Sequence, residues 1–311
     1  MNIEPLNNKS LYSYKKIFFS LKELFDNNLL PNKIIFSGEK GIGKSTFAYH
    51  LTNYIFSHSE KNKYDLENNC INGNNYSYSL ILKNAHPNFF LISNDADKKN
   101  IQISKIREMI NFTNKSSFNN LCKVILIDNI EFLNSSSVNA LLKVIEEPNN
   151  NIFFFLIHNN KKQILETLKS RCIKYNLFLT NEEKEYVIKN LSFNEFYSNL
   201  NIDFKNIYST PANIFTLNEI FKNNDIHENI SIDDFLKLVI NKSLYKKDAN
   251  IRDNLSFFFE LFFKKKFNFL YSNEKFYYFY KYFLKKLNDY RLYNLDLESI
   301  LIEFNGKLLN E

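Results

Sequence analysis

Cysteine is scarce in this chain of 311 residues: Cys70, Cys122 and Cys172 stand far apart and are odd in number. They exclude a disulfide framework and a Cys-x-x-Cys metal pair, and they fit a reducing cytosol. Long uncharged apolar runs are missing as well. None approaches the length of a membrane-spanning helix, and the N-terminus, MNIEPLNNKSLYSYKK, has no apolar signal core. The run FFFELFF (257–263) is short and interrupted by Glu260, so it reads as the core face of a helix. A cytoplasmic location is expected. Arginine is confined to Arg107, Arg171, Arg252 and Arg291, while Lys and Asn abound, as AT-rich coding would produce. Under that bias the formal net charge of +6 is weak evidence for contact with nucleic acid. The 44% hydrophobic content is that of a folded chain, long enough for two or three domains.

Glycine occurs only five times, and three of those residues fall in one stretch, FSGEKGIGKSTF (36–47). Glycine is used where backbone takes positive φ or approaches a ligand closely. Before the stretch, NKIIFSG (32–38) reads as a buried strand, and after it KSTFAYHLTNYIF (44–56) reads as a helix. Gly38-x-x-x-x-Gly43-Lys44-Ser45 is a complete Walker A pattern in the strand–loop–helix context it needs. Its backbone, Gly38, Glu39, Lys40, Gly41, Ile42, Gly43 and Thr46 included, would cradle phosphates, with Lys44 on the β/γ oxygens and Ser45 on Mg²⁺. A lysine-rich turn that merely caps a helix is the plain alternative.

Further strands are expected at 88–93, 123–128, 151–158 and 171–177, and helices at 103–113, 135–148 (ended by Pro148) and 162–170. Residues 60–85 read as polar and irregular. Continuous apolar strands alternating with helices predict an α/β domain around a parallel sheet. From about residue 178 helical periodicity takes over, with helices at 181–191, 210–221, 231–243, 248–268, 273–288 and 290–309. The expected domains are an α/β unit over 1–177, a small helical one over 178–222 and an all-α one over 223–311.

Asp128 ends the strand VILID and can hold the Mg²⁺ water shell, or simply cap the following turn. The next position, where an ATPase of this kind has Glu to orient water, holds Asn129, and an amide cannot accept a proton as a carboxylate does. Glu131, two residues further, could substitute for it, but strand alternation places it on a different side.

HPNFFLIS, ISKIREMI, VILIDNIEFLNSSSVNALLKVIEEP and LKSRC occur in the order and spacing of bacterial clamp-loader subunits within the AAA+ ATPases. Over about 1–220 the chain resembles that family, most of all its δ′ type from DNA polymerase III. The resemblance implies an AAA+ nucleotide-binding domain, a helical lid and a helical collar. It implies ATP or ADP with Mg²⁺ as ligand, γ/τ and δ subunits as partners in a ring, and a sliding clamp loaded on primed DNA. Arg171 of SRC would be an arginine finger donated to a neighbouring subunit, where the plain alternative is a surface arginine opening a strand. Asn159 would stand at the sensor 1 position, or be a loop residue in an Asn-rich chain. The sensor 2 position holds Asn213 rather than arginine. A four-cysteine zinc module found in many relatives is reduced here to Cys70, with Cys122 expected in the core, so no zinc is expected. Two readings compete with a δ′ role. One is a self-sufficient γ/τ-type motor. The other takes the aromatic, lysine-rich stretch 262–286 as a nucleic-acid or membrane-surface module rather than a packed collar.

Overall fold

A computed structural model of the chain describes residues 4–93, 100–146, 151–160, 163–191, 194–205, 209–269 and 274–309. Pro148, expected to end a helix, lies outside them. Two compact units are found, Met1–Val187 and Ile188–Glu311.

Five parallel strands form the sheet of the first unit: β1 (Lys33–Gly38), β2 (Phe89–Ile92), β3 (Lys123–Ile127), β4 (Ile152–Asn159) and β5 (Ile173–Asn176). Their order is β2-β3-β4-β1-β5. Helices α1 (Lys15–Asp26), α2 (Lys44–Ser57), α3 (Tyr76–Leu82), α4 (Ile103–Asn114), α5 (Ser135–Glu146) and α6 (Glu166–Lys169) complete it. Successive strand residues feed two cores, as period-two side chains must. Ile34, Phe36, Val124, Leu126, Phe155 and Ile157 join the core under α1 and α2. Ile35, Ile125, Ile127, Phe154 and Leu156 join the one that holds Ile106 of α4 and Leu141 of α5. Burial on both faces is why the strands read as unbroken apolar runs.

The expectation of irregular structure over 60–85 is corrected by α3. Its order comes from polar groups: Glu60 accepts hydrogen bonds from Asn75 Nδ2, Tyr76 N and Ser77 N at 2.7, 3.0 and 3.1 Å, and Asn75 caps the helix. Asp65 organises the turn before it, accepting from the backbone of Glu67 and Asn68 and from Cys70 Sγ. Cys122 packs against the first core, as expected.

The second unit is helical: α8 (Asn194–Asn199), α9 (Ile202–Lys205), α10 (Pro211–Asn223), α11 (Ile232–Asn241), α12 (Leu244–Lys247), α13 (Ala249–Asp253), α14 (Leu255–Phe269), α15 (Glu274–Tyr293) and α16 (Leu297–Phe304), while α7 (Asn181–Asn190) spans the boundary of the two units. The helix expected over 248–268 is split at Asn254. The one expected over 290–309 is cut by Asn294 in the left-handed region, after which Asp296 caps α16. Phe258, Phe259, Phe262, Phe263 and Phe283 are fully buried, and Phe259 stacks on Phe304 at 4.0 Å. Each such ring contributes about 1.5–3 kcal/mol by leaving water. Lys265 pairs with Asp203 at 2.8 Å and with Asp233, and Lys286 pairs with Glu303. Within 262–286, Phe262, Phe263 and Phe283 are therefore core and Lys265 and Lys286 are held by carboxylates, while Tyr277 and Tyr278 remain exposed. Among the described residues no helix is long and apolar enough to cross a membrane.

Candidate functional site

Parallel register brings the site together. Gly38 at the end of β1 lies opposite Asn159 at the end of β4, and Ile127, just before Asp128, lies opposite Leu156. The carboxyl ends of strands in such sheets are where ligands bind. Gly38 has no room for a side chain: a Cβ would lie 2.3 Å from the carbonyl oxygen of Leu177. Gly41 and Gly43 have φ of 87° and 92°, and Gly43 is the N-cap of α2, so the loop turns its amides toward the helix start. Tyr14, which sequence reasoning passed over, pins the loop by donating its hydroxyl to Ile42 O at 2.9 Å. Glu39 and Lys40 are exposed, and Thr46 is half-buried on α2. Gly38→Ala is expected to lower stability by about 1–3 kcal/mol through overpacking. A melting temperature equal to that of the unchanged chain would remove the Leu177 contact as the reason for this glycine.

Lys44 is 3% exposed, and its ammonium donates to Gly38 O at 3.0 Å, to Glu39 O and to Asn159 Oδ1 at 2.8 Å. Burial pulls its pKa down to about 8, against the charges of Asp128, Glu131 and Glu39, which raise it. Ser45 Oγ donates to Asp128 Oδ2 at 3.1 Å. Burial pushes the Asp128 carboxyl up, while the Ser45 hydrogen bond and the Lys44 charge work against it. A hydroxyl and a carboxylate already side by side, next to a buried ammonium and a helix start, fit a Mg²⁺-nucleotide: Ser45 and Asp128 would hold the metal, Lys44 and the loop amides the phosphates.

One expectation is corrected. Glu131 was placed on another side by continuing strand alternation past Asp128, but β3 stops at Ile127. Asn129 takes a left-handed conformation, φ 60°, which Asn tolerates, and Ile130–Phe132 form a 3₁₀ turn. That turn swings Glu131 back to the site, where its Oε1 accepts from Asn159 Nδ2 at 2.8 Å and its Oε2 from Asn159 N at 3.3 Å.

The structure thus gathers Lys44, Ser45, Asp128 and Asn159, and adds Glu131 and Asn129. Arg171 is not among them. It is 37% exposed after α6, with Nε and Nη2 at 2.8 and 2.7 Å from Glu146 Oε1 and Nη1 donating to Thr167 O at 2.9 Å. Asn213 lies in the second unit, in the first turn of α10. The serines at the start of α5 follow Asn134, whose Oδ1 accepts from Ser137 N at 2.8 Å.

Residues 14–180 match the family described as DNA polymerase III, delta subunit. The chain belongs to this family, in its δ′ type. Two δ′ relatives illustrate the likeness. The chain is 28% identical over 210 residues to DNA polymerase III subunit delta' of Buchnera aphidicola subsp. Baizongia pistaciae, covering 66% of this chain and 59% of the relative. It is 31% identical over 175 residues to the same subunit of Buchnera aphidicola subsp. Schizaphis graminum, covering 55% and 49%. The δ′-type chain therefore spans about half to three-fifths of the length of these relatives. The solved structure of a DNA polymerase III gamma subunit-related protein from Thermotoga maritima shares its fold, with a TM-score of 0.51 at 14% identity over 93% of this chain and 97% of that one. A parallel sheet covered by helices and followed by a helical C-terminal part is the α/β architecture that the resemblance implied.

Proposed function

We propose that this chain is a δ′ subunit of the bacterial clamp loader whose phosphate loop holds a nucleotide but scarcely hydrolyses it, and whose Arg171 serves the ATP site of a neighbouring γ/τ-type subunit. The assembly, with δ, would open the sliding clamp by ATP binding and turnover and leave it on primed DNA. In this reading residues 1–177 hold ATP or ADP with Mg²⁺, 178–222 form the lid and 223–311 the collar through which the ring assembles. The reading includes no zinc, since Cys70, the one cysteine between the phosphate loop and Cys122 of the core, cannot make a tetrahedral site. The cytoplasm is the proposed location.

The observation that carries the reading is a division of labour. The loop's own site has an amide, Asn129, after its acidic residue, while a guanidinium stands at the surface with no hydrogen-bond partner from the phosphate loop. A bound Mg²⁺-triphosphate would supply the leaving group and charge neutralisation; the chain's part is to hold it, with the amide of Asn129 at the position from which a carboxylate would take a proton from water.

Turnover by the free full-length chain tests this. The expected Mg²⁺-dependent rate is about 10²-fold or more below that of a competent site, since a positioned general base contributes that much. One observation favours the second reading, a self-sufficient motor: the Glu131 carboxylate beside Asn159. Appreciable turnover by the free chain, abolished in Glu131→Gln, would establish the motor and end the δ′ proposal.

A further inference from the structure

Asn159 has no donor left for a ligand. Its Oδ1 takes the Lys44 ammonium at 2.8 Å, and its two Nδ2 hydrogens go to Glu131 Oε1 at 2.8 Å and Asn129 Oδ1 at 2.5 Å. The neighbours fix the orientation of this amide, because an ammonium only donates and a carboxylate only accepts. Glu131 also takes the backbone N–H of Asn159, so one carboxylate grips the end of β4 at two points. Asn159 is 5% exposed and Lys44 3%, which makes each of these bonds costly to break without replacement.

We propose that Glu131 sets the ligand specificity of this loop, making it a nucleoside diphosphate site that disfavours the triphosphate. The inference rests on the reading that the loop holds a nucleotide. A diphosphate needs the loop amides and Lys44, whose ammonium donates to Gly38 O, Glu39 O and Asn159 Oδ1 and meets Glu131 only through Asn159 and through its charge. A third phosphate calls on the Asn159 side of the site. There it meets an amide whose hydrogens are already spent and, behind it, a carboxylate. Freeing Asn159 means breaking a hydrogen bond to a charged group and setting two anions against each other. The first cost alone corresponds to about 10- to 100-fold in affinity.

Calorimetric titration of the full-length chain with Mg²⁺-ADP and with a non-hydrolysable Mg²⁺-ATP analogue tests the assignment. ADP is expected to bind tighter by about tenfold or more. Glu131→Gln, which keeps shape and removes charge, should bring the two affinities together, and Glu131→Asp, which keeps the carboxylate, should retain the preference. A chain that prefers the triphosphate overturns the inference. So does a Glu131→Gln variant with the original ratio; either result leaves nucleotide binding itself standing. Failure of the unchanged chain to bind either nucleotide overturns both the inference and the reading beneath it. Should Glu131→Gln not fold, the ratio in the unchanged chain and in Glu131→Asp decides.

Discussion

On the proposed role in trans, replacing Arg171 with alanine is expected to slow ATP turnover at a neighbouring subunit's site by about 10³-fold or more, with the assembly still formed. The magnitude is that of arginine fingers in other phosphoryl-transfer enzymes, where the planar guanidinium meets charge that develops only in the transition state. What holds Arg171 in this chain is modest by comparison. Its partner Glu146 is half exposed, and an exposed pair contributes at most about 1 kcal/mol. Release from Glu146 therefore costs far less than engagement of a triphosphate returns. Arg171→Lys should recover little, because an ammonium lacks the fork that meets two oxygens at once. DNA-stimulated ATPase of the reconstituted assembly, with size-exclusion chromatography to establish that the ring is intact, gives the answer. Equal rates with and without Arg171 would take this residue out of the mechanism.

Much of the phosphate site could be read in advance because it depends on local chemistry. Glycines at Gly38, Gly41 and Gly43 are demanded by backbone geometry and by the closeness of Leu177, and an apolar run ending in Asp128 announces a buried strand meeting a polar edge. Asn159 was named from the family resemblance alone; its place opposite Gly38 is a matter of strand register, which local sequence does not report. Glu131 could be named but not placed, because its position depends on one backbone choice. Alternation holds only while the strand continues, and Asn129 ends it with a left-handed turn. Likewise α3 depends on Glu60, fifteen residues ahead of Asn75 in the chain, and no local periodicity reports that contact. The breaks at Asn254 and Asn294 were hidden for a related reason. In a chain this rich in Asn, composition does not mark which ones end a helix; capping partners do, as Asp296 does for α16.

Stability of the first unit is expected to fall by about 3 kcal/mol as pH drops from 7 to 4, on account of His50 alone. His50 lies on α2 and is fully buried. Its Nε2 faces the carbonyl oxygen of Asn8 at 3.0 Å, so that nitrogen must carry the hydrogen, and its Nδ1 accepts from the Tyr64 hydroxyl at 2.8 Å. Both ring nitrogens are satisfied by the neutral imidazole, and a second proton would place a charge in a fully buried site and force the Tyr64 hydroxyl to turn from donor to acceptor. Burial lowers its pKa from 6.5 to about 4, with the Asn8 carbonyl acting weakly in the other direction. The sign follows from proton counting. Above pH 6.5 neither state binds the proton and the stabilisation is whole. Between 6.5 and 4 the unfolded chain takes up a proton that the folded one refuses, so unfolding gains. Below 4 both are charged and the loss is complete. His86, stacked on Phe56 at 4.2 Å and lowered by burial to about 4, acts in the same direction. The contribution of His50 is isolated by the proton uptake that accompanies unfolding between pH 6.5 and 4. It should drop by about one proton in His50→Gln, which keeps a donor for Asn8 and does not titrate. An unchanged uptake, or an imidazole resonance of His50 titrating near 6.5 in the folded chain, would show that the ring is not sealed between Asn8 and Tyr64. The anchoring of the N-terminal segment on α2, and with it part of the support behind the phosphate loop, would then need another source.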